Sequence, residues 1–202
     1  MKALRELIAR YPALNKCEEP IRNAFDVLKK CYQSNCKVLV CGNGGSAADA
    51  DHIVGELLNK FKKKRKIDPV IAAQLPQNLA DSLVGALPAV SLSSMTAALS
   101  SIANDANWDV SFAQQVYGLG NPGDVLIAIS TSGNSSNCIN AAHVANAKGM
   151  HVIALTGETG GKLATLAETA ICVPESETFK IQELHLPVYH ALCAAIEDAL
   201  FI

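Results

Sequence analysis

The stretch Asp124-Val125-Leu126-Ile127-Ala128-Ile129, followed by Ser130-Thr131-Ser132-Gly133-Asn134-Ser135, decides the fold. An apolar run without alternation reads as a strand covered on both faces, and the abrupt change to small polar residues marks the loop at its carboxyl end. Downstream, residues 135 to 148 carry helical periodicity that stops at Gly149. His151 to Leu155 then give a strand, Gly157 to Gly161 a turn, Leu163 to Ala167 a short helix, Ala170 to Val173 a last strand, and 181 to 200 a final helix. Upstream, Ala89 to Leu92 resembles a strand, with helices over 94 to 103 and 108 to 117. Lys37 to Cys41 is a further buried strand that runs into Gly42-Asn43-Gly44-Gly45. Ser46 with Asp49 three residues on has the form of a capping box, opening a helix over 47 to 60. Residues 3 to 10 and 18 to 34 predict N-terminal helices within a leading segment 1 to 35. Between 62 and 87 the periodicity is lost around Pro69 and Pro76, which predicts an inserted loop or lid with one short helix near 78 to 85. Strands alternate with helices throughout, so the expected fold is α/β: one domain over 1 to 202, an αβα sandwich on a mainly parallel sheet.

Composition narrows what such a domain does. The 202 residues suffice for one core, half of them are hydrophobic and 18% are charged. A net charge of −2 argues against a surface that tracks nucleic-acid phosphates. The single basic run, Lys62-Lys63-Lys64-Arg65-Lys66, reads as a solvated exit from the preceding helix. Seven scattered cysteines without metal-ligand spacing suit buried thiols in a reducing compartment. No apolar run approaches the roughly 18 residues of a spanning helix, and no secretory segment opens the sequence. The expectation is a cytoplasmic protein with neither nucleic-acid nor membrane partners.

In an open parallel sheet, ligands sit beyond the carboxyl ends of the strands, where both polar loops, 42 to 46 and 130 to 135, are expected. Capping one helix requires one side-chain oxygen, yet Ser130, Thr131, Ser132 and Ser135 offer four hydroxyls in six residues. The surplus points to an oxygen-rich ligand such as phosphate, with Gly133 letting the backbone approach it and a helix N-terminus completing the anion site. Neither a P-loop nor a dinucleotide fingerprint is present. His52 and Glu56, four apart, fall on one face of the helix that leaves the glycine loop. They are either a surface hydrogen-bonded pair or, because Ile53 and Leu57 mark that helix as partly buried, a pair retained for chemistry. Gln182, Glu183, His185 and His190 lie on the last helix, whereas His143 and His151 read as ordinary structural or exposed histidines.

Taken in order, Cys41-Gly42-Asn43-Gly44-Gly45-Ser46, Asn104-Asp105, Ser130 to Ser135 and Ile181-Gln182-Glu183-Leu184-His185 resemble the sugar isomerase (SIS) domain family over about residues 20 to 200. The resemblance implies a five-stranded parallel sheet of flavodoxin-like topology and a homotetramer with sites at subunit interfaces, often with zinc. It further implies aldose-ketose isomerisation of a phosphorylated sugar, most closely sedoheptulose 7-phosphate to a heptose 7-phosphate. Carried over by position, substrate contacts are Asn43, Gly44, Gly45, Asn104, Asp105, Ser130, Thr131, Ser132, Ser135 and Gln182. Metal ligands are His52, Glu56, Gln182 and His190, and Glu56 and His190 are also the acid/base candidates. Two departures are visible: Lys60 stands where the family carries arginine, losing a bidentate fork, and the 62 to 87 stretch is long. The rival class is a non-catalytic phosphosugar-binding or initiator-interacting relative, against which the presence of both Glu56 and His190 argues. Gln182 and His190 are eight residues apart, about 12 Å along a helix axis at about 1.5 Å per residue, so one of them is expected to reach a given site from a neighbouring copy.

Overall fold

The computed structural model describes residues 1–201. In chain order it contains α1 (Lys2–Arg10), a 3-10 turn (Pro12–Cys17), α2 (Glu18–Gln33), β1 (Val38–Gly42) and α3 (Gly45–Leu58). Next come α4 (Pro69–Ala72), α5 (Gln77–Ser82), β2 (Ala89–Ser91) and α6 (Thr96–Asp105). A 3-10 turn (Trp108–Val110) leads into α7 (Ser111–Leu119), β3 (Val125–Ile129) and α8 (Ser136–Ala147). The chain ends through β4 (His151–Thr156), α9 (Gly161–Leu166), β5 (Thr169–Cys172) and α10 (Thr178–Leu200).

All four strand pairings are parallel, in the order β2-β1-β3-β4-β5. Side chains alternate in direction along each strand, so neighbouring residues feed different cores. Val38, Val40, Val125, Ile127 and Ile129 pack on one face beneath α1, α2, α3 and α10, while Leu39, Cys41, Leu126 and Ala128 pack on the other beneath α7, α8 and α9. Both faces are buried, which is why the strands show no polar alternation. The strand order reverses between β1 and β3, and the two polar loops leave the sheet on either side of that point.

The expected elements are present, with differences at their ends. The α3 helix begins at Gly45 with Gly44 as its cap residue, and no side chain caps it. Ser46 lies inside the helix and is buried, so the capping box does not form. The last strand starts one residue early because Thr169 pairs with Ile153. Residues 62 to 87 hold α4 and α5, and Val70, Ile71, Leu79 and Leu83 there are exposed. Among the described residues no helix is long and apolar enough to cross a membrane.

The basic run departs most from its reading as a solvated exit. Arg65 is 1% exposed, and its Nε donates to Glu197 Oε1 at 2.7 Å. Its remaining nitrogens donate to the carbonyls of Leu57 and Glu56 at 2.6 and 2.8 Å. Glu197, itself buried, also accepts the backbone N–H groups of Phe61, Lys62 and Lys63. Burial alone would raise the Glu197 carboxyl, but these N–H groups and the guanidinium more than offset it and hold its pKa below the ordinary value. Removing one partner strands a buried charge, so Glu197→Ala is expected to cost about 3–5 kcal/mol in urea unfolding near neutral pH. Because the folded pKa is depressed, that stabilisation is present above the ordinary glutamate value of about 4.3 and is lost as pH falls through the folded value. The gap between the variant and the parent should therefore narrow in acid.

Candidate active site

Helices α3 and α10 pack side by side and run in the same direction. Gly45 faces Gln182, Asp49 and His52 face Tyr189, His52 faces His190, and Phe61 faces Glu197. On α3 the stripe Ala50, Ile53 and Leu57 is buried in the core. The stripe one residue round, Asp49, His52 and Glu56, therefore lies along α10 and its open side.

Three candidate groups meet there within one chain. His52 Nε2 lies 3.1 Å from Glu56 Oε1 and 3.4 Å from His190 Nε2. One ligand atom from each residue lies within 4.8 Å of the other two. His52 is exposed, and Glu56 and His190 are half-buried. The rings of His52 and His190 meet edge to face at 4.9 Å, and Phe61 lies 5.4 Å from His190. Burial and the neighbouring His52 lower the pKa of His190, with Glu56 opposing, so its imidazole stays neutral further into acid than usual. A cleft of about 390 Å³ opens beside His190, lined by Glu6 and Arg10 of α1, by Tyr11 just after it, and by Phe61 and Lys62. Two imidazoles and a carboxylate at these separations form a donor set that suits a divalent ion, zinc among them.

Gln182 is not part of that group. Its amide lies over Gly45, so close that a Cβ there would come within 2.5 Å of Nε2. Gly45 and His52 are seven residues apart, about 10 Å along α3. The amide thus belongs to the mouth of the glycine loop, while the imidazoles lie two turns further down the helix. This identifies which member of the Gln182/His190 pair is out of reach in the same chain.

The hydroxyl loop follows β3 as expected. Ser135 is the cap residue of α8, yet its side chain makes no capping bond and instead lies 3.0 Å from Ser130 Oγ. Ser130 is buried, Thr131 half-buried, and Ser132 exposed with its Oγ accepting from the Asn134 N–H at 3.1 Å. Gly133 has a structural role in this loop. Its φ is +64°, and a Cβ would overlap the Gly160 carbonyl, so it packs the loop against the turn before α9. Asn43, in the loop after β1, and Asn137, in the first turn of α8, exchange two side-chain hydrogen bonds of 2.9 Å across the point where strand order reverses. Asn104 and Asp105 are exposed at the end of α6, bonded to each other at 2.8 Å. Lys60 is exposed beyond the end of α3. His185 is fully buried, one nitrogen 3.2 Å from the Thr156 carbonyl, and burial lowers its pKa to about 4. His143 is exposed, and exposed His151 pairs with Glu168.

The sequence marks Asp49 only as a capping partner of Ser46 and does not single out Tyr189. The Tyr189 hydroxyl lies 3.2 Å from Asp49 Oδ1 and 3.0 Å from His52 Nδ1. Burial raises the pKa of both, most for Tyr189, whose phenol stays protonated. The three-and-four spacing of Asp49, His52 and Glu56 was a readable signal for the first of them.

This fold, with hydroxyl and amide loops at the reversal point and an imidazole-carboxylate group on the neighbouring helix, defines the class. The chain belongs to the SIS domain family, whose model matches residues 2–157. Its relatives include phosphoheptose isomerases: that of Azoarcus sp. strain BH72 is 44% identical over 181 residues, 88% of this chain and 82% of that one. That of Thiobacillus denitrificans is 47% identical over 167 residues, 81% of this chain and 75% of the relative. The solved phosphoheptose isomerase of Neisseria gonorrhoeae superposes with a TM-score of 0.78 at 38% identity, covering 98% of this chain and 94% of that one. The Francisella tularensis enzyme gives 0.79 at 33% identity, covering 94% and 91%. The family match ends before α10, whereas the superposition on the Neisseria enzyme takes in almost the whole chain.

The two glycines should behave oppositely on substitution. Gly133→Ala is expected to destabilise the fold by at least about 1–3 kcal/mol in urea unfolding, since neither its positive φ nor the backbone facing it can yield. Gly45→Ala displaces only the flexible end of Gln182, so it should keep the stability of the parent while weakening phosphosugar binding, measured by calorimetry.

Proposed function

We propose that this chain interconverts sedoheptulose 7-phosphate and D-glycero-D-manno-heptose 7-phosphate by moving one proton between C1 and C2 through an enediol. The observation that carries this reading is the meeting of the Glu56 carboxylate with two imidazoles in a chain of this family. The reaction needs a base that reaches both carbons and a group that exchanges protons with both oxygens. Glu56 takes the carbon-bound proton from C1 and returns it at C2. His190, kept neutral by its surroundings, exchanges the hydroxyl protons. A divalent ion held by His52, Glu56 and His190, which we take to be zinc, would supply Lewis-acid stabilisation of the negative charge on the oxygens.

The phosphate is assigned to the loop of Ser130, Thr131, Ser132 and Ser135, at the N-terminus of α8. Asn43, Gly44, Gly45 and Gln182 would line the adjoining mouth, with Asn104 and Asp105 contributing to the sugar. Within one chain that mouth and the imidazoles lie at different levels of α3, which supports a site completed by a neighbouring copy in a homotetramer. Glu56, His52 and His190 would come from one subunit and Gln182 from another. The seven cysteines, all free, are compatible with a reducing cytoplasm.

Glu56→Gln should lower kcat by about 10²–10⁴, measured with heptose, hexose and pentose phosphates. If parent and variant are equally inert on all of them, the chain is a phosphosugar-binding relative and not an enzyme. Mixing Gln182→Ala with Glu56→Ala subunits should restore part of the activity. A mixture of His190→Ala with Glu56→Ala should not, because those two residues share one chain.

A further inference from the structure

We infer that His185 is a positioning residue for the sugar site: through the Thr156 carbonyl it holds the first turns of α10, and with them the Gln182 amide, in a fixed place relative to the hydroxyl loop. A carbonyl oxygen has no hydrogen to give, so His185 Nε2, 3.2 Å away, donates to it. The same carbonyl already accepts the Val173 N–H at 3.0 Å and is satisfied without the imidazole. The other ring nitrogen, Nδ1, is buried with no hydrogen-bond partner among the described residues. His185 is fully buried, and burial lowers its pKa to about 4, so the ring is neutral at neutral pH. Taking a polar ring out of water with one nitrogen unpaired costs free energy that a leucine in the same place would not. Packing alone therefore gives no reason for an imidazole here.

What the imidazole does is brace α10 beside a break in its bonding. Pro187 lies inside that helix and has no N–H for the carbonyl four residues back, that of Glu183. The turns before Pro187, which carry Gln182, are thus less firmly joined to the turns after it, where Glu197 is tied to the exit of α3. His185 is on the near side of the break, three residues from Gln182 and on the neighbouring turn. Its bond ends on Thr156, the last residue of β4, and the next residue, Gly157, donates its N–H to the Thr131 carbonyl at 2.9 Å. Gly157 also receives the Ile181 side chain so closely that a Cβ there would come within 2.5 Å of Ile181 Cδ1. Ile181 and His185 hold the helix to the end of β4 on either side of Gln182, whose amide lies over Gly45. The hydroxyl loop, the end of β4, α10 and the glycine loop are linked in that order, and the link sets the spacing between the phosphate and the sugar.

The inference rests on the reading of Gln182 and the hydroxyl loop as sugar and phosphate contacts, and a double-mutant cycle separates the two. Calorimetry with a heptitol 7-phosphate, which has no carbonyl and cannot isomerise, gives the Kd of the parent, Gln182→Ala, His185→Leu, the double variant, and His185→Gln, whose amide keeps a donor. We expect a Kd raised about 3–10-fold in Gln182→Ala and in His185→Leu, the worth of one neutral hydrogen bond, with no further rise in the double variant and a return toward the parent in His185→Gln. The urea midpoint of His185→Leu should equal or exceed that of the parent. Parent-like binding by His185→Leu beside weakened binding by Gln182→Ala overturns the inference and leaves the reading of Gln182 standing. Losses that add in the double variant overturn it too, because His185 then acts by a route other than Gln182. So does a His185→Leu chain that does not fold, since the imidazole then maintains the core. Parent-like binding by Gln182→Ala refutes the reading of Gln182, and the inference falls with it.

Discussion

Everything at the imidazole-carboxylate group depends on one buried ion pair. Glu197 near the end of α10 takes four hydrogen bonds, three from the backbone where the chain leaves α3 and one from Arg65. Arg65 returns two bonds to the last carbonyls of α3, those of Leu57 and Glu56. Two charges out of water are expensive, and only such dense pairing offsets the cost. What the arrangement fixes is register. It ties the ends of two parallel helices together, so the residues one to three turns back, Tyr189 and His190 against Asp49, His52 and Glu56, are brought level. Phe201 stacks on the guanidinium at 5.2 Å, and the Gly85 N–H bonds to the Arg65 carbonyl, closing the same corner from the far side of the insertion.

The sheet was legible in the sequence because its strands are buried on both faces and appear as short apolar runs that end at glycines or hydroxyl residues. The helices followed from periodicity. What escaped was whatever depended on a distant partner. Arg65 sits among four lysines, and local charge density made it look solvated, yet its partner lies 132 residues away. Tyr189 reads as one more core aromatic until the register of α10 on α3 is known. Ser46 and Asp49 had the right spacing for a cap, but the glycine turn lets the helix start earlier, which buries Ser46 and turns Asp49 toward Tyr189. His52 and Glu56 were recognisable because their interaction is local.

The two halves of the candidate site are also built on different principles. The loops after β1 and β3 are short-range constructions, with hydroxyls, amides and glycines presented at the carboxyl end of the sheet. The imidazole group is a long-range construction on the faces of two helices. The first was found by composition and the second by family resemblance, and only the packing of α10 on α3 relates them. Gln182 and His190 illustrate the point: on one helix, two turns apart, they serve different levels of the molecule.

The mutual amide pair of Asn43 and Asn137 has a consequence for the crevice it spans. Neither group titrates, and neither carries a net charge that salt could screen. The stitch between the glycine loop and α8 is therefore indifferent to acidity and ionic strength. Asn137 is buried, and its Oδ1 accepts the Cys138 N–H as well, so the pair is anchored to the first turn of α8. The mouth of the crevice is in this sense a fixed gauge, while the charge chemistry deeper along α3 is free to vary.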